Sequence, residues 1–460
     1  MILNHYEYTK ISKSKLPTAW SSEEVLKELE NFLQKQWEER SIFFEDKKVT
    51  SKQQFIEFLN SGNIKCKNYI GTIIFKGEIL NIYPKVFRTE KDDCDTENLN
   101  TKHLLFNITN WIKYSNRISY PFINISCSDE ELSNLQELVI SLYINYVFRT
   151  MERGFFYKYI DEIRDLTCIR GRVNIKDYIA RKLPNGKRNI FLCNTSDFEI
   201  DNDVNRIIKY TCKQIIKKDL KISYKKVFKI LDWLNDVSDI CCSPNDCDNI
   251  RLSRLHKNYE FIIHFSKLIL LNKSSTYDLD INDSFCFLFP VEILFEGYVG
   301  GLIQSSLEKH LGKVYLQESK MSLVEKIIYR DKVSGPAFTM RHDILVEFKD
   351  KVYILDTKYK ELSRFDGNDS YIQSIRDEAK QSDLYQVLEY ARKRAINDVY
   401  LLYPMYRYEK IETDFPVAVS ESPTGDIRIH FIRVPFVYEM DQVADIEKNF
   451  ETLINKIFFP

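Results

Sequence analysis

The sequence predicts a mixed α/β protein, α+β overall, in which a small β-containing N-terminal region and a mostly helical middle region precede a C-terminal α/β domain. Short apolar runs bounded by glycine predict the N-terminal strands, whereas apolar residues at helical spacing dominate the middle. After residue 286 the pattern changes to helix, strands, helix and strand. We therefore predict domains over residues 1–128, 129–285 and 286–460.

The spacing of apolar residues in the N-terminal region predicts one helix and a pair of short strands. A serine–glutamate start and a leucine-bearing face predict a helix from Ser22. Residues 69–87 alternate around Gly71 and Gly77 as antiparallel strands do. The polar segment 91–97 favours a subdomain break.

The middle region has helical spacing over residues 131–151, 204–216 and 226–234. Pro184-Asn185-Gly186-Lys187 predicts a turn between basic residues, which we interpret either as a solvated loop or as a contact for phosphate or a partner.

Two further patterns occur in this region. Asp201-Asn202-Asp203 has the composition of a helix cap. Arg170-Gly171-Arg172 places two guanidinium groups around a flexible glycine, which suits a phosphate or an acidic partner.

The C-terminal region predicts a helix that begins after Pro290 and a β-hairpin that follows it. The hairpin strands cover residues 341–346 and 352–358, and the turn is centred on Lys349 and Asp350. A second helix opens near Ser382, and residues 398–403 form the next strand.

The register of the hairpin brings acidic side chains together. With that turn, Asp343 falls opposite Asp356, while Lys358 shares a face with Asp356 and Thr357 points to the other side. Carboxylates at this spacing suit Mg²⁺, with Mn²⁺ as an alternative, and a lysine beside them can orient or deprotonate a bound water. The pattern favours metal-assisted phosphodiester hydrolysis; the alternative is an ordinary ion pair at a solvated hairpin end.

At this point the chain resembles the PD-(D/E)xK nuclease superfamily and, more narrowly, the McrC family, the nuclease subunits of McrBC modification-dependent restriction systems. The departure from the superfamily pattern is His342, where a proline is expected. The resemblance covers roughly residues 70 to 405 and is carried by Gly71-Thr72-Ile73-Ile74, Ile82-Tyr83-Pro84-Lys85-Val86, Arg170-Gly171-Arg172-Val173, Asp201 to Arg206, Leu294 to Val299, Arg341-His342-Asp343, Leu355 to Lys360 and Asp383 to Ala391.

The resemblance implies a restriction-endonuclease-like C-terminal domain with Asp343, Asp356 and Lys358 as catalytic residues. Asp343 and Asp356, with the Thr357 carbonyl, are the expected ligands of Mg²⁺ or Mn²⁺. We expect Glu296 to approach the metal directly or through water, although a solvated helix-face carboxylate fits its pattern as well. Gln386 has support from the Gln-x-x-x-Tyr pattern that it forms with Tyr390, but a buried polar pair would look the same.

The resemblance also implies the partners: double-stranded modified DNA and a ring-shaped AAA+ GTPase similar to McrB. The net charge of −1 agrees with a partner that supplies part of the DNA affinity. No nucleotide-binding loop of the GxxxxGK[ST] type occurs in the sequence, so GTP hydrolysis is expected in the partner.

Composition predicts a cytoplasmic protein without a membrane-spanning segment or signal peptide. Cys241, Cys242 and Cys247 lack the paired spacing of a zinc site, so we expect reduced thiols. Two functions remain open: a Mg²⁺-dependent endodeoxyribonuclease that stimulates its GTPase partner, or an inactive nuclease-fold adaptor that binds DNA and the GTPase. The presence of all three residues Asp343, Asp356 and Lys358 favours the enzyme.

Overall fold

The computed structural model describes most of the chain. The described residues are 2–39, 52–59, 61–89, 101–115, 135–218, 220, 222–253, 256–271, 285–310, 312–319, 321–329, 332–362, 375–376, 379–407, 417–422 and 425–459. The chain forms two compact units, one from residues 1–127, 133–136 and 283–460 and the other from residues 128–132 and 137–282. The predicted division into three domains stays a prediction.

The N-terminal segment of the first unit builds two small sheets around one long helix. Its elements are β1 (Ile2–Tyr6), β2 (Lys10–Ile11), α1 (Glu23–Glu39), β3 (Ile56–Phe58), β4 (Ile64–Cys66), β5 (Tyr69–Phe75), β6 (Glu78–Tyr83) and α2 (Thr101–Tyr114). The helix predicted from Ser22 and the strand pair around Gly77 are confirmed, and Lys76 and Gly77 turn the chain with φ of 50° and 74°. The apolar face of α1, which includes Leu29 and Leu33, is buried in a core shared with β5 and β6.

The second unit is mostly helical, as predicted, but it also contains a sheet. Its elements are α3 (Leu135–Arg153), β7 (Lys158–Leu166), β8 (Arg172–Val173), α4 (Ile175–Asp177), a π-helical turn (Tyr178–Lys182), β9 (Phe191–Glu199), α5 (Asp203–Ile216), α6 (Lys225–Trp233), α7 (Pro244–Asp248) and α8 (Lys257–Leu271). Strands β7 and β9 pair antiparallel along all nine residues of each, and β8 pairs with the other edge of β9. Sequence patterning did not identify β7 or β9, because charged residues occupy much of β7 and polar residues occupy much of β9.

Both patterns noted in the middle region have a structural role in this unit. Asn202 is the N-cap of α5, and its side chain accepts from the Asn205 amide at 3.2 Å. Gly171 has φ 71°, and a Cβ there would lie 2.3 Å from the Asn194 carbonyl oxygen, so the position requires glycine. Arg170 is paired with Asp197 at 2.6 Å.

The C-terminal segment completes the first unit with a six-stranded sheet. Its elements are β10 (Phe285–Pro290), α9 (Val291–Glu308), β11 (Lys313–Glu318), β12 (Ser322–Val324), β13 (Ile327–Tyr329), β14 (Lys332–Ser334), β15 (Ala337–Thr339), β16 (His342–Phe348), β17 (Lys351–Thr357), α10 (Gln381–Arg394), β18 (Asp398–Pro404), β19 (Val417–Glu421), β20 (Arg428–Val434) and α11 (Val443–Phe458). The strand order is β11-β16-β17-β18-β20-β19. The predicted order of helix, hairpin, helix and strand is confirmed, and so is the mixed α/β class.

The sheet is mixed, and strand β17 of the antiparallel hairpin is also the first strand of its parallel part. Strand β17 pairs with β18 in parallel, and β18 pairs with β20 in parallel, while β16 and β17 are antiparallel. Strands buried on both faces read as nearly continuous apolar runs, which explains the composition of β18. The end of β17 at Thr357 lies beside Leu402 of β18, two residues before that strand ends.

The N-terminal and C-terminal segments pack into one unit through strand pairing. Strand β10 adds to the N-terminal sheet by pairing antiparallel with β5. Gly71 permits this approach, because it has φ 145° and a Cβ there would lie 1.9 Å from the Phe287 carbonyl oxygen.

Helix α2 packs against the chain after β20. Its Trp111 stacks on Phe436 with ring centroids 3.9 Å apart. Across the described part of the chain, the helices are too short or too polar to span a membrane.

Candidate active site

The hairpin forms with the predicted turn. Lys349 and Asp350 have φ of 48° and 60°, the left-handed region that two-residue hairpin turns favour. Phe348 pairs with Lys351, and the ladder continues to Ile344 opposite Leu355. The same register carried one pair further sets Asp343 opposite Asp356.

Asp356 and Lys358 form an ion pair on one face at the end of β17. Lys358 Nζ lies 2.5 Å from Asp356 Oδ2, and the two side chains are 14% and 1% exposed. Burial, and secondarily the Asp343 carboxylate, raise the pKa of Asp356 above its ordinary range. Burial opposes the charge of Lys358, but the nearby carboxylates of Asp356, Asp343 and Asp383 outweigh it and raise the pKa of Lys358. Lys358 is therefore an ammonium ion at neutral pH.

The alternative of an ion pair at a solvated hairpin end does not fit Asp356, which is 1% exposed. β17 is an interior strand of the sheet, between β16 and β18, and helices α9 and α10 pack against it, so its last side chains are covered. The Oδ1 atom of Asp356 is buried and has no hydrogen-bond partner among the described residues. A buried carboxylate oxygen without a donor is costly, which is the condition a bound cation relieves.

Asp343 is held at the same strand end by Thr357. The Thr357 amide and hydroxyl each donate to Asp343 Oδ2 at 2.9 Å. Asp356 pairs with Lys358 as alternation along the strand predicts, whereas the bond from the Thr357 hydroxyl to Asp343 was not expected, because alternation puts Thr357 on the other face. Asp343 is half-buried, and its Oδ1 atom is directed to another strand, where Gln317 Nε2 lies 3.4 Å away.

Glu296 of α9 lies on the Asp343 side of the site. Gln317 of β11 donates from its Nε2 atom to Glu296 Oε1 as well as to Asp343. The structure therefore brings Glu296 towards Asp343, although its role at a metal stays a prediction. Gln317 itself was missed, because one glutamine in a short strand carries no sequence signal.

Gln386 lies on α10 and forms a hydrogen bond to Tyr390 one turn later, with Nε2 3.0 Å from the hydroxyl oxygen. Tyr390 packs edge-on against His342 at 4.6 Å between ring centroids. A role for Gln386 and Tyr390 beside DNA stays a prediction.

His342 connects α10 to the start of β16. Arg394 Nε donates to His342 Nε2 at 2.9 Å, and Arg394 also pairs with Glu318 at 2.8 Å. Burial and the Arg394 charge lower the pKa of His342 to about 4, so the imidazole is neutral. The residue that replaces the expected proline therefore fixes the strand bearing Asp343 to the helix bearing Gln386.

Within the described residues, no group of three or more His, Cys, Asp or Glu side chains is arranged to hold a metal. Two carboxylates are nevertheless sufficient for Mg²⁺, which keeps several of its own waters. Of the cysteines considered for zinc, Cys241 is exposed and Cys247 is buried.

Glu7, Lys85 and Tyr359, the last of which follows Lys358 by one residue, form a buried polar cluster next to the site. The Tyr359 hydroxyl donates to Glu7 Oε1 at 2.7 Å, and the Lys85 amide donates to the same atom at 3.0 Å. The Lys85 ammonium donates to the Tyr359 carbonyl oxygen at 3.3 Å and lies over the Tyr359 and Tyr8 rings. The N-terminal strands thus support the segment that carries the predicted catalytic lysine.

This cluster predicts a pH-dependent stability. Burial raises the pKa of Glu7 from 4.5 to about 7, so between these values the folded chain binds more protons than the unfolded chain. The free energy of unfolding should therefore fall as pH rises through this window, by at most about 3 kcal/mol for a shift of this size. In EDTA, thermal unfolding should show a falling midpoint from pH 5 to pH 8, and Glu7→Gln should flatten that slope. Asp356 acts in the same direction, so a residual slope is expected; an unchanged slope in Glu7→Gln would contradict the assignment.

Comparison with known proteins places the chain in a family. Residues 64–404 match the family described as McrBC 5-methylcytosine restriction system component. No protein with a curated description matches the sequence.

Two solved structures are similar in fold. One is the refined half-complex from the tetradecameric assembly of Thermococcus gammatolerans McrB AAA+ hexamers with bound McrC. A chain of that structure is similar to this chain with a TM-score of 0.64 and 16% identity, and the match covers 100% of both chains. A chain of the McrBC complex of the same organism is similar with a TM-score of 0.44 and 17% identity, over 67% of this chain and 88% of that one. The first likeness supports the overall fold. Because the family match spans more than half of the sequence, the chain belongs to the McrBC 5-methylcytosine restriction system component family, as the resemblance to McrC predicts.

Proposed function

We propose that this chain is the metal-dependent DNA endonuclease subunit of a GTP-driven, 5-methylcytosine-dependent restriction complex. The observation that carries the proposal is the convergence of Asp343, Asp356 and Lys358 where β16 begins and β17 ends. A buried carboxylate with an unpartnered oxygen beside a second carboxylate and an ammonium ion is a costly arrangement for a purely structural site. Costly groups of this kind cluster at functional sites.

The residues fit a hard divalent cation. Asp356 Oδ1 has no donor among the described residues, and Asp343 Oδ1 has only a long contact to Gln317. Asp343 and Asp356 would hold Mg²⁺ or Mn²⁺, and the Thr357 carbonyl is a further candidate. When bound, such an ion stabilises charge on a phosphodiester and activates water for its hydrolysis.

The protein residues supply position and charge. Thr357 fixes the Asp343 carboxylate through two hydrogen bonds, so that one oxygen stays directed into the site. Lys358 lies beside both carboxylates, where its ammonium group would orient a water or donate to a phosphate oxygen.

The second unit is proposed to dock on the GTPase ring through the sheet of β7, β8 and β9 and the adjoining helical turn. Large apolar side chains are exposed there, and contiguous apolar surface of this kind marks interaction sites. They are Tyr159, Ile163, Ile169, Ile175, Ile179, Leu183 and Phe198. Tyr159 and Phe198 form a cross-strand pair with ring centroids 4.9 Å apart and are 69% and 57% exposed.

The docking surface gives a prediction. Tyr159→Ser combined with Phe198→Ser should weaken complex formation with the GTPase and reduce the stimulation of GTP hydrolysis, because buried aromatic anchors dominate interface energy. The matched control is Phe228→Ser, since Phe228 lies on α6 of the same unit and is 58% exposed. Titration of GTP turnover against each variant measures the effect. Equal stimulation by the double variant and the wild type would exclude this surface.

A reconstitution distinguishes the nuclease from an inactive adaptor. The full chain is mixed with its AAA+ GTPase partner, GTP, Mg²⁺ and DNA that contains 5-methylcytosine. Double-strand cleavage that requires every component supports the proposal. Complex formation and GTPase stimulation without strand breaks would establish the adaptor instead, and cutting of any DNA by the isolated chain with Mg²⁺ would indicate a stand-alone nuclease.

A further inference from the structure

We infer that Gln317 is a positioning residue of the metal site, which draws the Glu296 carboxylate of α9 to the Asp343 carboxylate of β16. The inference rests on the proposed function and deepens it, because it identifies the residue that holds Glu296 beside Asp343. Sequence patterning gave Glu296 an equal chance of pointing to solvent.

The contacts of Gln317 join three elements. Its Nε2 atom donates to Glu296 Oε1 and lies 3.4 Å from Asp343 Oδ1. An amide nitrogen has two hydrogens and can serve two acceptors at once. Two carboxylates that approach each other repel unless a positive group lies between them, and the amide dipole partly fills that role.

The backbone of Gln317 supports a specialised position. Its φ is 56°, in the left-handed region that residues other than glycine rarely adopt. The ladder between β11 and β16 pairs Leu316 with Ile344 and Glu318 with His342, so Gln317 interrupts an otherwise regular strand opposite Asp343. Strained backbone of this kind persists where the surroundings impose it, and it is concentrated at functional sites.

The other atom of the amide is also unusual. Gln317 Oε1 is buried and has no hydrogen-bond partner among the described residues. A side chain placed only for stability would be expected to satisfy this acceptor. The arrangement instead satisfies the two carboxylates at the expense of the amide oxygen.

The test is isothermal titration calorimetry, which measures Mn²⁺ binding by the full chain without DNA or partner. Gln317→Gly removes the amide and suits the left-handed backbone, and Gln317→Asn keeps an amide that is too short to reach both carboxylates. Each should weaken Mn²⁺ binding about tenfold, the lower range for groups that orient metal ligands. Gln304→Ala is the matched control, because Gln304 lies on the same helix as Glu296 and its Nε2 atom donates to Glu308 Oε1 at 3.1 Å. The Mn²⁺ affinity of this variant should match that of the wild type.

A double-mutant cycle separates positioning from direct ligation. In the Glu296→Ala background, Gln317→Gly should change the affinity by less than about twofold, because its effect acts through Glu296. An equal loss in both backgrounds, or no loss in either, would overturn the inference. The midpoint of thermal unfolding in EDTA identifies a general loss of fold, because such a loss would lower the midpoint of Gln317→Gly with and without Glu296→Ala. If the wild type binds Mn²⁺ no more tightly than Asp356→Asn does, the proposed metal site itself fails, which is a distinct outcome.

Discussion

Asp343→Asn and Asp356→Asn should each abolish cleavage of methylated DNA by the reconstituted complex. Each change removes a negative ligand from the proposed metal while keeping the size of the side chain. Polarisation by a bound metal is worth several kcal/mol, and a loss of about 4 kcal/mol corresponds to about a thousandfold in rate. Initial rates of plasmid linearisation at saturating GTP and Mg²⁺ measure the effect.

The same variants should retain the partner-dependent activities. Binding to the GTPase and stimulation of GTP hydrolysis are assigned to the second unit, so neither should change by more than about twofold. Asp356→Asn leaves the Lys358 ammonium without its ion-pair partner, so its unfolding midpoint in EDTA should fall, and its cleavage rate is compared with the wild type below that midpoint. Cleavage at the wild-type rate by either variant would remove that residue from the site.

Trp111→Ala should cause a large loss of stability in the first unit. The Trp111 side chain is 1% exposed, and its Nε1 atom donates to the Phe436 carbonyl oxygen at 2.7 Å. Truncation of a buried tryptophan leaves a cavity and an unpaired carbonyl, which together cost about 3 to 5 kcal/mol. Thermal unfolding monitored by circular dichroism should show a lower midpoint for the first unit.

The matched control is Trp233→Ala in the second unit, where the tryptophan is only half-buried. Its stack on Phe148 has ring centroids 5.0 Å apart, so a smaller loss is expected. Phe436 also contacts Phe295, which precedes Glu296 on α9. Trp111→Ala should therefore reduce cleavage at temperatures near its new midpoint; an unfolding midpoint equal to that of Trp233→Ala would contradict the proposed packing role.

Local patterns were sufficient to predict the hairpin and its flanking helices. The turn at Lys349 and Asp350 follows from two apolar strands separated by a polar pair, and its register fixes which side chains share a face. The pairing of Asp356 with Lys358 follows from the same alternation. The helix after Pro290 likewise follows from apolar spacing over one element.

Features that depend on distant segments were not predictable. The burial of Asp356 results from the position of β17 inside the sheet, and the hairpin sequence alone does not reveal it. Gln317 becomes part of the site only because β11 pairs with β16 and packs against α9. The contact of Glu7 with Tyr359 joins residues from opposite ends of the sequence. Such contacts carry no periodic signal in a single sequence.

The central claim is that Asp343 and Asp356 hold a divalent cation at the end of the hairpin. Its most direct test is the anomalous difference density of crystals soaked with Mn²⁺. The proposed site predicts a peak within about 2.0 to 2.6 Å of a carboxylate oxygen from each aspartate, the range for hard cations with oxygen ligands. A well-ordered hairpin without such a peak, or a peak that persists in Asp343→Asn and Asp356→Asn crystals, would contradict the claim.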